Sequence, residues 1–238
     1  MNPWYGQPVK ENIYPYRDQD PTLTFFSRLC ETAEELFAIS ADEKYFRIEE
    51  TNQKRVNPYW FLKHEYKNRR TEAIEYFTSI CHGDLNMQNI LLDKEMNVYL
   101  IDFSETKPRS VISDFARLEA IFMIEHAPLE TADDMKEMVE FTTQFYNSVQ
   151  LNQLPEYIWK GKSQEKMKRN LALILKMRKY AIGCTSGDNN IVPYYLALLE
   201  WIFPIVCYGG VPLPYKKLSA YVAGLLCEKI VECDKIED

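Results

Sequence analysis

Apolar residues recur every three or four positions through most of the second half of the chain, as is typical of helices that bury one face. This pattern predicts five helices, which span 113–126, 130–149, 163–182, 191–207 and 215–232. Turn-forming stretches such as HAPLE and YGGVPLP separate them. Another helix is predicted from Pro21 to Ile39, with Asp20 as a candidate N-cap and Pro21 in the first turn.

The segment that leads to His82 also carries apolar residues on one helical face. Its members are Tyr66, Ile74, Phe77 and Cys81. We therefore expect one long or two broken helices before His82. Residues 40–56 show a mixed pattern, and residues 1–20, rich in Pro and Tyr, are expected to be an extended lead-in to a single domain over 21–238.

Two short apolar runs, NILLD and VYLID, are separated by KEMN, and this pattern predicts a β-hairpin. With Lys94–Asn97 as its loop, Leu92 pairs with Tyr99. The same antiparallel register brings Asn89 opposite Asp102. Asp84 lies in the loop that enters the first strand, so three oxygen-bearing side chains are expected to meet at the open end of the hairpin.

This group of side chains suits a hard divalent cation. Mg²⁺ prefers oxygen ligands and commonly takes one or two protein ligands, with substrate phosphates and waters completing its shell. We therefore predict that Asn89 and Asp102 bind Mg²⁺. Asp84 would then be free to accept a proton from an attacking hydroxyl.

Composition and charge narrow the other possibilities. The net charge of −7 argues against a broad nucleic-acid-binding surface. The six Cys show no C-x-x-C spacing, which argues against a zinc site. Four of them sit in apolar surroundings, as is typical of core thiols, so we expect a reducing, cytoplasmic setting. The N-terminus lacks the pattern of a secretion signal. The most apolar run, IVPYYLALLEWIFPIVCYGG, is interrupted by Glu200 and Pro204, so we expect a buried helix and no membrane contact.

The motif HGDLNMQN, followed by LIDF, resembles the catalytic loop and metal-binding motif of protein-kinase-like phosphotransferases. The resemblance is closer to the aminoglycoside phosphotransferase and choline kinase side, where the loop is H-G-D-x-x-x-x-N. The stretch SDFARLEA looks like the Asp-initiated helix that follows in many phosphotransferase-like domains. The fold class implied is a mainly α domain with a small β-hairpin, namely the C-terminal lobe of the protein-kinase-like fold.

This resemblance implies a role for each matching residue. Asp84 would be the catalytic base or hydroxyl-orienting group, and Asn86 would touch the base or the phosphate. Asn89 and Asp102 would hold Mg²⁺. His82 and Asp114 would support the catalytic loop, and Asp114 would also cap its helix. The implied reaction is transfer of the γ-phosphoryl group of ATP, or of another nucleoside triphosphate, to an acceptor hydroxyl.

The nucleotide-covering N-terminal lobe of such enzymes is not recognisable here. The first 80 residues contain a single Gly, Gly6, and no V-A-I-K-like strand. Three explanations remain open: a fragment of a longer protein, a natural truncation whose partner or upstream domain supplies that lobe, or a catalytically inactive scaffold. We expect the isolated chain to bind ATP poorly and to be inactive alone.

Two further alternatives concern chemistry and acceptor. A metal-dependent phosphoesterase also uses Asp, Asn and His. Its two-metal sites usually need several His and carboxylate ligands, and this chain has only three His, which disfavours this alternative. Antibiotic, choline-like, sugar and protein acceptors all remain open, with a small molecule favoured. Tyr194, Tyr195 and Trp201 are candidates for an acceptor pocket, although their spacing favours packing.

Overall fold

The computed structural model describes residues 6–18, 22–47, 52–153 and 155–234. The helices are α1 (Pro15–Asp18), α2 (Thr22–Phe37), α3 (Pro58–Trp60), α4 (Ser113–Ala120), α5 (Ala132–Phe145), α6 (Gln164–Cys184), α7 (Val192–Ile202) and α8 (Leu213–Asp234). The strands are β1 (Val9–Ile13), β2 (Tyr45–Arg47), β3 (Lys54–Val56), β4 (Ile74–Cys81), β5 (Ile90–Leu92), β6 (Val98–Leu100) and β7 (Lys107–Ser110). Helices α3 and α4 continue as π-helices over Phe61–Tyr66 and Ile121–Glu125, and α7 continues as a 3₁₀-helix over Phe203–Cys207.

The chain is mainly helical, with its described strands in three small antiparallel sheets. One sheet has the order β1-β4-β7, and the other two are the hairpins β2-β3 and β5-β6. The five helices predicted after residue 112 are confirmed, with ends that shift by a few residues. Helix α2 lies where a helix was predicted, whereas Asp20 and Pro21 are outside the described residues.

The core is built around α7, which packs against α4 and α8. Every residue from Val192 to Leu199 is buried, so this helix is apolar on all sides because protein surrounds it. The apolar run interrupted by Glu200 and Pro204 is therefore a core helix, as predicted. Among the described residues, no helix is both long and apolar enough to cross a membrane.

The helix predicted up to Cys81 is wrong in its second half. The helical segment ends before the turn at 69–71, and Ile74–Cys81 is the central strand β4. This strand pairs with β1 on one side, Val9 opposite Thr78, and with β7 on the other, Thr78 opposite Ser110. Pairing with two strands distant in the sequence outweighs the local periodicity, because strand formation depends strongly on tertiary context.

The N-terminal segments also contribute to the sheets. Residues 1–20 were expected to be an extended lead-in, but within them Val9–Ile13 form strand β1 of the central sheet and Pro15–Asp18 form the short helix α1. The mixed segment 40–56 contains the β2-β3 hairpin, whose β3 strand packs against α8. Strand β1 therefore ties the N-terminal segment to the strand that leads into the loop of His82, Gly83 and Asp84, called the HGD loop below.

The β5-β6 hairpin is confirmed, but its predicted register is wrong by one residue. Leu91, rather than Leu92, lies opposite Tyr99. The loop begins one residue earlier because the Asp93 carboxylate accepts hydrogen bonds from both the backbone N–H and the side-chain amide of Asn97, each at 2.8 Å. Asn89 consequently lies beside Ile101, whose N–H donates to the Asn89 carbonyl at 3.1 Å, and Asp102 is one residue further on.

A buried ion pair fixes helix α4 against α6. The Arg178 guanidinium binds the Glu119 carboxylate through two hydrogen bonds, of 2.9 and 2.7 Å. Both side chains are fully buried, and the hydroxyls of Tyr146 and Tyr194 also donate to Glu119. Because α4 also carries Asp114, this network positions the helix that holds the HGD loop.

Candidate functional site

The loop between β4 and β5 is attached to helix α4 through one carboxylate. The Asp114 carboxylate accepts hydrogen bonds from the backbone N–H of His82, at 2.9 Å, and of Gly83, at 3.0 Å. Asp114 lies in the first turn of α4, where a negative charge also interacts favourably with the helix dipole. The predicted capping by Asp114 is wrong, because α4 begins at Ser113 without a side-chain cap and the carboxylate is directed to the loop instead.

Gly83 is required by the backbone geometry of this loop. Its φ of +87° is a conformation that residues with a side chain rarely adopt. A Cβ atom added here would also lie only 2.3 Å from the backbone oxygen of Glu105. Glycine therefore lets the HGD loop approach the segment that follows Asp102.

His82 connects the loop to the same segment. Its Nε2 donates a hydrogen bond to the carbonyl of Ile101 at 2.8 Å, since a carbonyl oxygen can only accept. Its Nδ1 lies 3.4 Å from the backbone nitrogen of Asp84. Both ring nitrogens thus face backbone atoms, and His82 is arranged as a bridge between Asp84 and the residue before Asp102.

Asn86 and Asn89 shape the region around Asp84. The Asn86 side chain accepts hydrogen bonds from the backbone N–H groups of Gln88 and Asn89. These hydrogen bonds cap the start of a short 3₁₀-helix, Met87–Asn89. Its Nδ2 atom lies 3.3 Å from Asp84 Oδ2. Asn89 donates from Nδ2 to the Asp84 carbonyl at 2.9 Å, so its Oδ1 is the atom available as a ligand.

Asp102 has a left-handed backbone conformation and an exposed side chain. Its φ is +59°, which is uncommon for a residue other than glycine and often occurs at functional sites. Ser104 donates a hydrogen bond to Asp102 Oδ1 at 2.8 Å, which leaves Oδ2 as the other acceptor. Asp102 therefore presents a carboxylate oxygen next to the position of Asn89 in the hairpin.

These two residues fit a magnesium ion better than a zinc ion. They offer one amide oxygen and one carboxylate oxygen, which are the ligand types that Mg²⁺ prefers when phosphates complete its shell. No group of three or more His, Cys, Asp or Glu side chains in the described part of the chain is arranged to hold a metal. Mg²⁺ bound at Asn89 and Asp102 would offset the negative charge of substrate phosphates.

Sequence reasoning missed Arg117, whose guanidinium lies beside Asp84. Arg117 Nε is 3.7 Å from Asp84 Oδ1, and Arg117 Nη1 is 3.4 Å from Glu125 Oε1. The signal for it was the i,i+3 spacing from Asp114, which places both side chains on one face of α4. Of the three aromatic candidates for an acceptor pocket, Trp201 lies against Arg117, whereas Tyr194 and Tyr195 are fully buried.

The hairpin next to the site exposes an unusual amount of apolar surface. On β5, Leu91 and Leu92 are 47% and 59% exposed, and on β6, Val98 and Tyr99 are 50% and 51% exposed. Successive residues of a strand point to opposite faces, so apolar side chains are accessible on both faces of this hairpin. Phe103, beside Asp102, is also exposed. Contiguous exposed apolar surface of this kind commonly marks an interaction site.

Comparison with known proteins gives one match. The model of the family described as ternary complex associated domain 9 matches residues 23–199. No curated protein and no solved structure matches the chain. The matched region extends from α2 to α7 and includes the HGD loop, Asp102 and Asp114. The chain belongs to the ternary complex associated domain 9 family.

Proposed function

We propose that this chain is the helical, catalytic-loop-bearing lobe of a kinase-like phosphotransferase. The reaction would be Mg²⁺-dependent transfer of the γ-phosphoryl group of ATP to an acceptor hydroxyl, with a small molecule favoured as acceptor. Asp84 would orient the hydroxyl and accept its proton, while Asn89 and Asp102 would hold Mg²⁺ on the phosphates.

The hydrogen-bonded frame around Asp84 is the observation that carries this proposal. Asp114 binds the backbone before Asp84, Asn89 binds the Asp84 carbonyl, and His82 binds the carbonyl before Asp102. Phosphoryl transfer depends mainly on positioning and on electrostatic stabilisation, so a frame that fixes three polar side chains relative to one another is what the reaction needs.

The exposed surface of the β5-β6 hairpin is an argument for a second lobe that covers the nucleotide. An isolated two-stranded hairpin is marginally stable, and this one exposes apolar side chains on both faces beside the proposed Mg²⁺ ligands. A lobe packed there would cover this surface and would close a cleft over the nucleotide. We infer that a further domain or a partner chain supplies this lobe. Among the described residues of 6–73, the strands are limited to the short β1, β2 and β3.

An interaction module is the second candidate function. The matching family is described as associated with a ternary complex, and the exposed apolar hairpin suits a protein contact. In this case the hydrogen-bonded frame around Asp84 would no longer serve catalysis. A phosphoesterase fits less well, because its chemistry would require His82 as a metal ligand, and both ring nitrogens of His82 face the backbone.

A transfer assay separates the two candidates. The native polypeptide that contains this chain is incubated with Mg²⁺, γ-labelled ATP and a panel of acceptors comprising aminoglycosides, choline, sugars and Ser/Thr peptides. We expect transfer to at least one acceptor, with kcat reduced about 10²- to 10⁴-fold in Asp84→Ala and Asp102→Ala. Asp133→Ala is the matched control, because Asp133 is 91% exposed on α5, outside the frame.

Each outcome decides between the candidates. Full activity in both site variants would refute the phosphotransferase assignment. Absence of transfer with every acceptor would favour the interaction module. For the isolated chain, calorimetry with ATP is expected to show weak binding, and submicromolar affinity would contradict the inference that half of the nucleotide cleft is missing.

A further inference from the structure

Arg117 is the charged side chain that faces the carboxylate of Asp84 from helix α4. Its Nε lies 3.7 Å from Asp84 Oδ1. The Arg117 side chain is 14% exposed, whereas that of Asp84 is 41% exposed. We propose that Arg117 is a positioning residue, which holds the Asp84 carboxylate in one orientation for the transfer. This inference rests on the proposed function, and the resemblance of the SDFARLEA stretch assigned no role to Arg117.

Arg117 is itself fixed from two directions. Its guanidinium carbon lies 4.9 Å from the centre of the Trp201 ring, which is the arrangement of a cation–π contact. Its Nη1 lies 3.4 Å from Glu125 Oε1 on the π-helical extension of α4. A planar guanidinium held against a ring and a carboxylate has few orientations left, so its Nε is presented to Asp84 in a defined direction.

The two oxygens of Asp84 are held by different partners. Asn86 Nδ2 lies 3.3 Å from Oδ2, and Arg117 Nε lies 3.7 Å from Oδ1. A carboxylate oxygen has more than one lone pair, so either oxygen can still accept a hydrogen bond from a substrate hydroxyl. Asn86 and Arg117 therefore favour one orientation of the Asp84 carboxylate and leave it able to bind a substrate hydroxyl.

The contact between Arg117 and Asp84 is longer than a hydrogen bond and leaves Arg117 Nε without a partner. Arg117 Nε is buried and has no hydrogen-bond partner, since 3.7 Å is too long for a hydrogen bond. A buried charged donor without a partner is costly, and a small rotation of the exposed Asp84 side chain would give it one. Catalytic hydrogen bonds are often long without substrate and shorten in the complex. We infer that acceptor binding shortens this contact.

A purely structural role for Arg117 is the alternative. Its contact with Trp201 connects α4 to α7, and its contact with Glu125 ties α4 to its own π-helical continuation. Loss of these contacts would destabilise the protein without any special effect on Asp84. The two roles differ in whether the NMR signal of the Arg117 Nε–H changes when Asp84 is substituted. They also differ in whether a Lys, which keeps the charge but lacks the planar Nε–H, restores function.

The pairing can be tested without any enzymatic assay. The ¹H–¹⁵N NMR signal of the Arg117 Nε–H is assigned by its loss in Arg117→Lys and is then recorded in Asp84→Asn. We expect Asp84→Asn to shift the signal and to accelerate its exchange with water, whereas Asp102→Asn, a control that changes the charge at the neighbouring residue, leaves it unchanged. A signal that does not respond to Asp84→Asn would overturn the inference.

The functional part is tested in the transfer assay. We expect Arg117→Met to lower kcat about 100-fold, as is typical of a misplaced catalytic group, with less than a twofold change in KM for ATP. Arg117→Lys should recover part of the lost kcat. Equal losses of kcat in both variants, matched by equal losses of thermal stability, would show a structural role only. If the native protein transfers no phosphoryl group, the proposed function fails, and the NMR experiment still decides the pairing.

Discussion

The carboxylate of Asp114 accepts a hydrogen bond of 2.9 Å from the backbone N–H of His82, although 32 positions separate the two residues. The second oxygen of the same carboxylate accepts the N–H of Gly83. One buried side chain on α4 thus fixes the start of the HGD loop. Helix α4 is in turn fixed to α6 by the Glu119–Arg178 pair, so the position of the loop depends on the helical core.

Asp114→Asn tests this attachment. The amide keeps one acceptor oxygen but points an NH₂ donor at a backbone N–H, so one of the two hydrogen bonds is lost and a buried donor is left unpaired. Hydrogen bonds to charged groups contribute about 1.5–3 kcal/mol, and we expect a loss of about that size in the free energy of unfolding. Urea unfolding measures it, and amide hydrogen exchange of His82 and Gly83 should accelerate.

The control for this experiment is Asp133→Asn in the first turn of α5, where the side chain is exposed. We expect a change within about 0.5 kcal/mol there. Unchanged exchange at His82 and Gly83 in Asp114→Asn would mean that other contacts hold the loop.

Gly83→Ala should disturb the same loop for a steric reason. The new Cβ would lie 2.3 Å from the Glu105 backbone oxygen, and φ is unfavourable for alanine. Gly187→Ala is a matched control, because Gly187 has a similar φ of +83° but open space around its Cβ position. We expect a loss of about 1 kcal/mol in Gly187→Ala from backbone strain alone and at least twice that in Gly83→Ala. Equal losses in urea unfolding would show that the Glu105 backbone moves away easily.

The sequence was sufficient to predict the elements whose pattern is local. The helices after residue 112 have regular apolar faces. The apolar run at 191–207 forms the core helix α7 and its 3₁₀-helical continuation. The β5-β6 hairpin was predicted from two apolar runs around a turn, but its register was off by one residue. The Asp93–Asn97 hydrogen bonds that set the loop are side-chain contacts, which the pattern of apolar residues does not encode.

The remaining elements depend on contacts between distant residues. Strand β4 resembles a helix in its local spacing, and only its pairing with β1 and β7 makes it extended. The same limit applies to the site. The motif identified His82, Asp84, Asn86, Asn89, Asp102 and Asp114, and the structure connects these residues through hydrogen bonds and neighbouring backbone positions. Arg117 lies within the SDFARLEA stretch, but the resemblance assigned it no role, and its position beside Asp84 follows from the packing of α4.

Glu200 should make stability depend on pH. Burial raises the pKa of Glu200, although nearby Arg109 and Lys107 oppose this shift. The folded protein therefore binds this proton more tightly than the unfolded chain, in which the pKa of Glu is about 4.3. As the pH rises from that value through the folded pKa, the free energy of unfolding falls. At pH 7, well above the pKa of Glu in the unfolded chain, burial of Glu200 is therefore expected to lower the free energy of unfolding relative to a neutral side chain.

Glu200→Gln removes this effect, so we expect the variant to be more stable than the wild type at pH 7. The difference should shrink towards zero at about pH 3, below the Glu pKa of about 4.3 in the unfolded chain, where the wild-type side chain is protonated in both states. Urea unfolding at the two pH values measures it. A variant that is less stable than the wild type at pH 7 would mean that attraction to Arg109 and Lys107 outweighs the cost of burial.

Arg178→Met should have the largest effect on stability, because it leaves the Glu119 carboxylate buried without its cation. Both side chains of the pair are fully buried, and removal of one partner of such a pair costs about 3–5 kcal/mol. Lys168→Ala is the control on the same helix, since the Lys168–Glu165 pair is exposed and should contribute less than about 1 kcal/mol. Urea unfolding of both variants gives the comparison.

A second variant separates charge burial from loss of packing. In Glu119→Gln/Arg178→Met the buried charge is absent, and the Gln oxygen can still accept a hydrogen bond from Tyr146 or Tyr194. We therefore expect the double variant to be more stable than Arg178→Met, even though it carries one more substitution. If the double variant is the less stable of the two, the main contribution of Arg178 is its packing against Phe145, whose ring centre lies 4.3 Å from the guanidinium carbon, rather than neutralisation of Glu119.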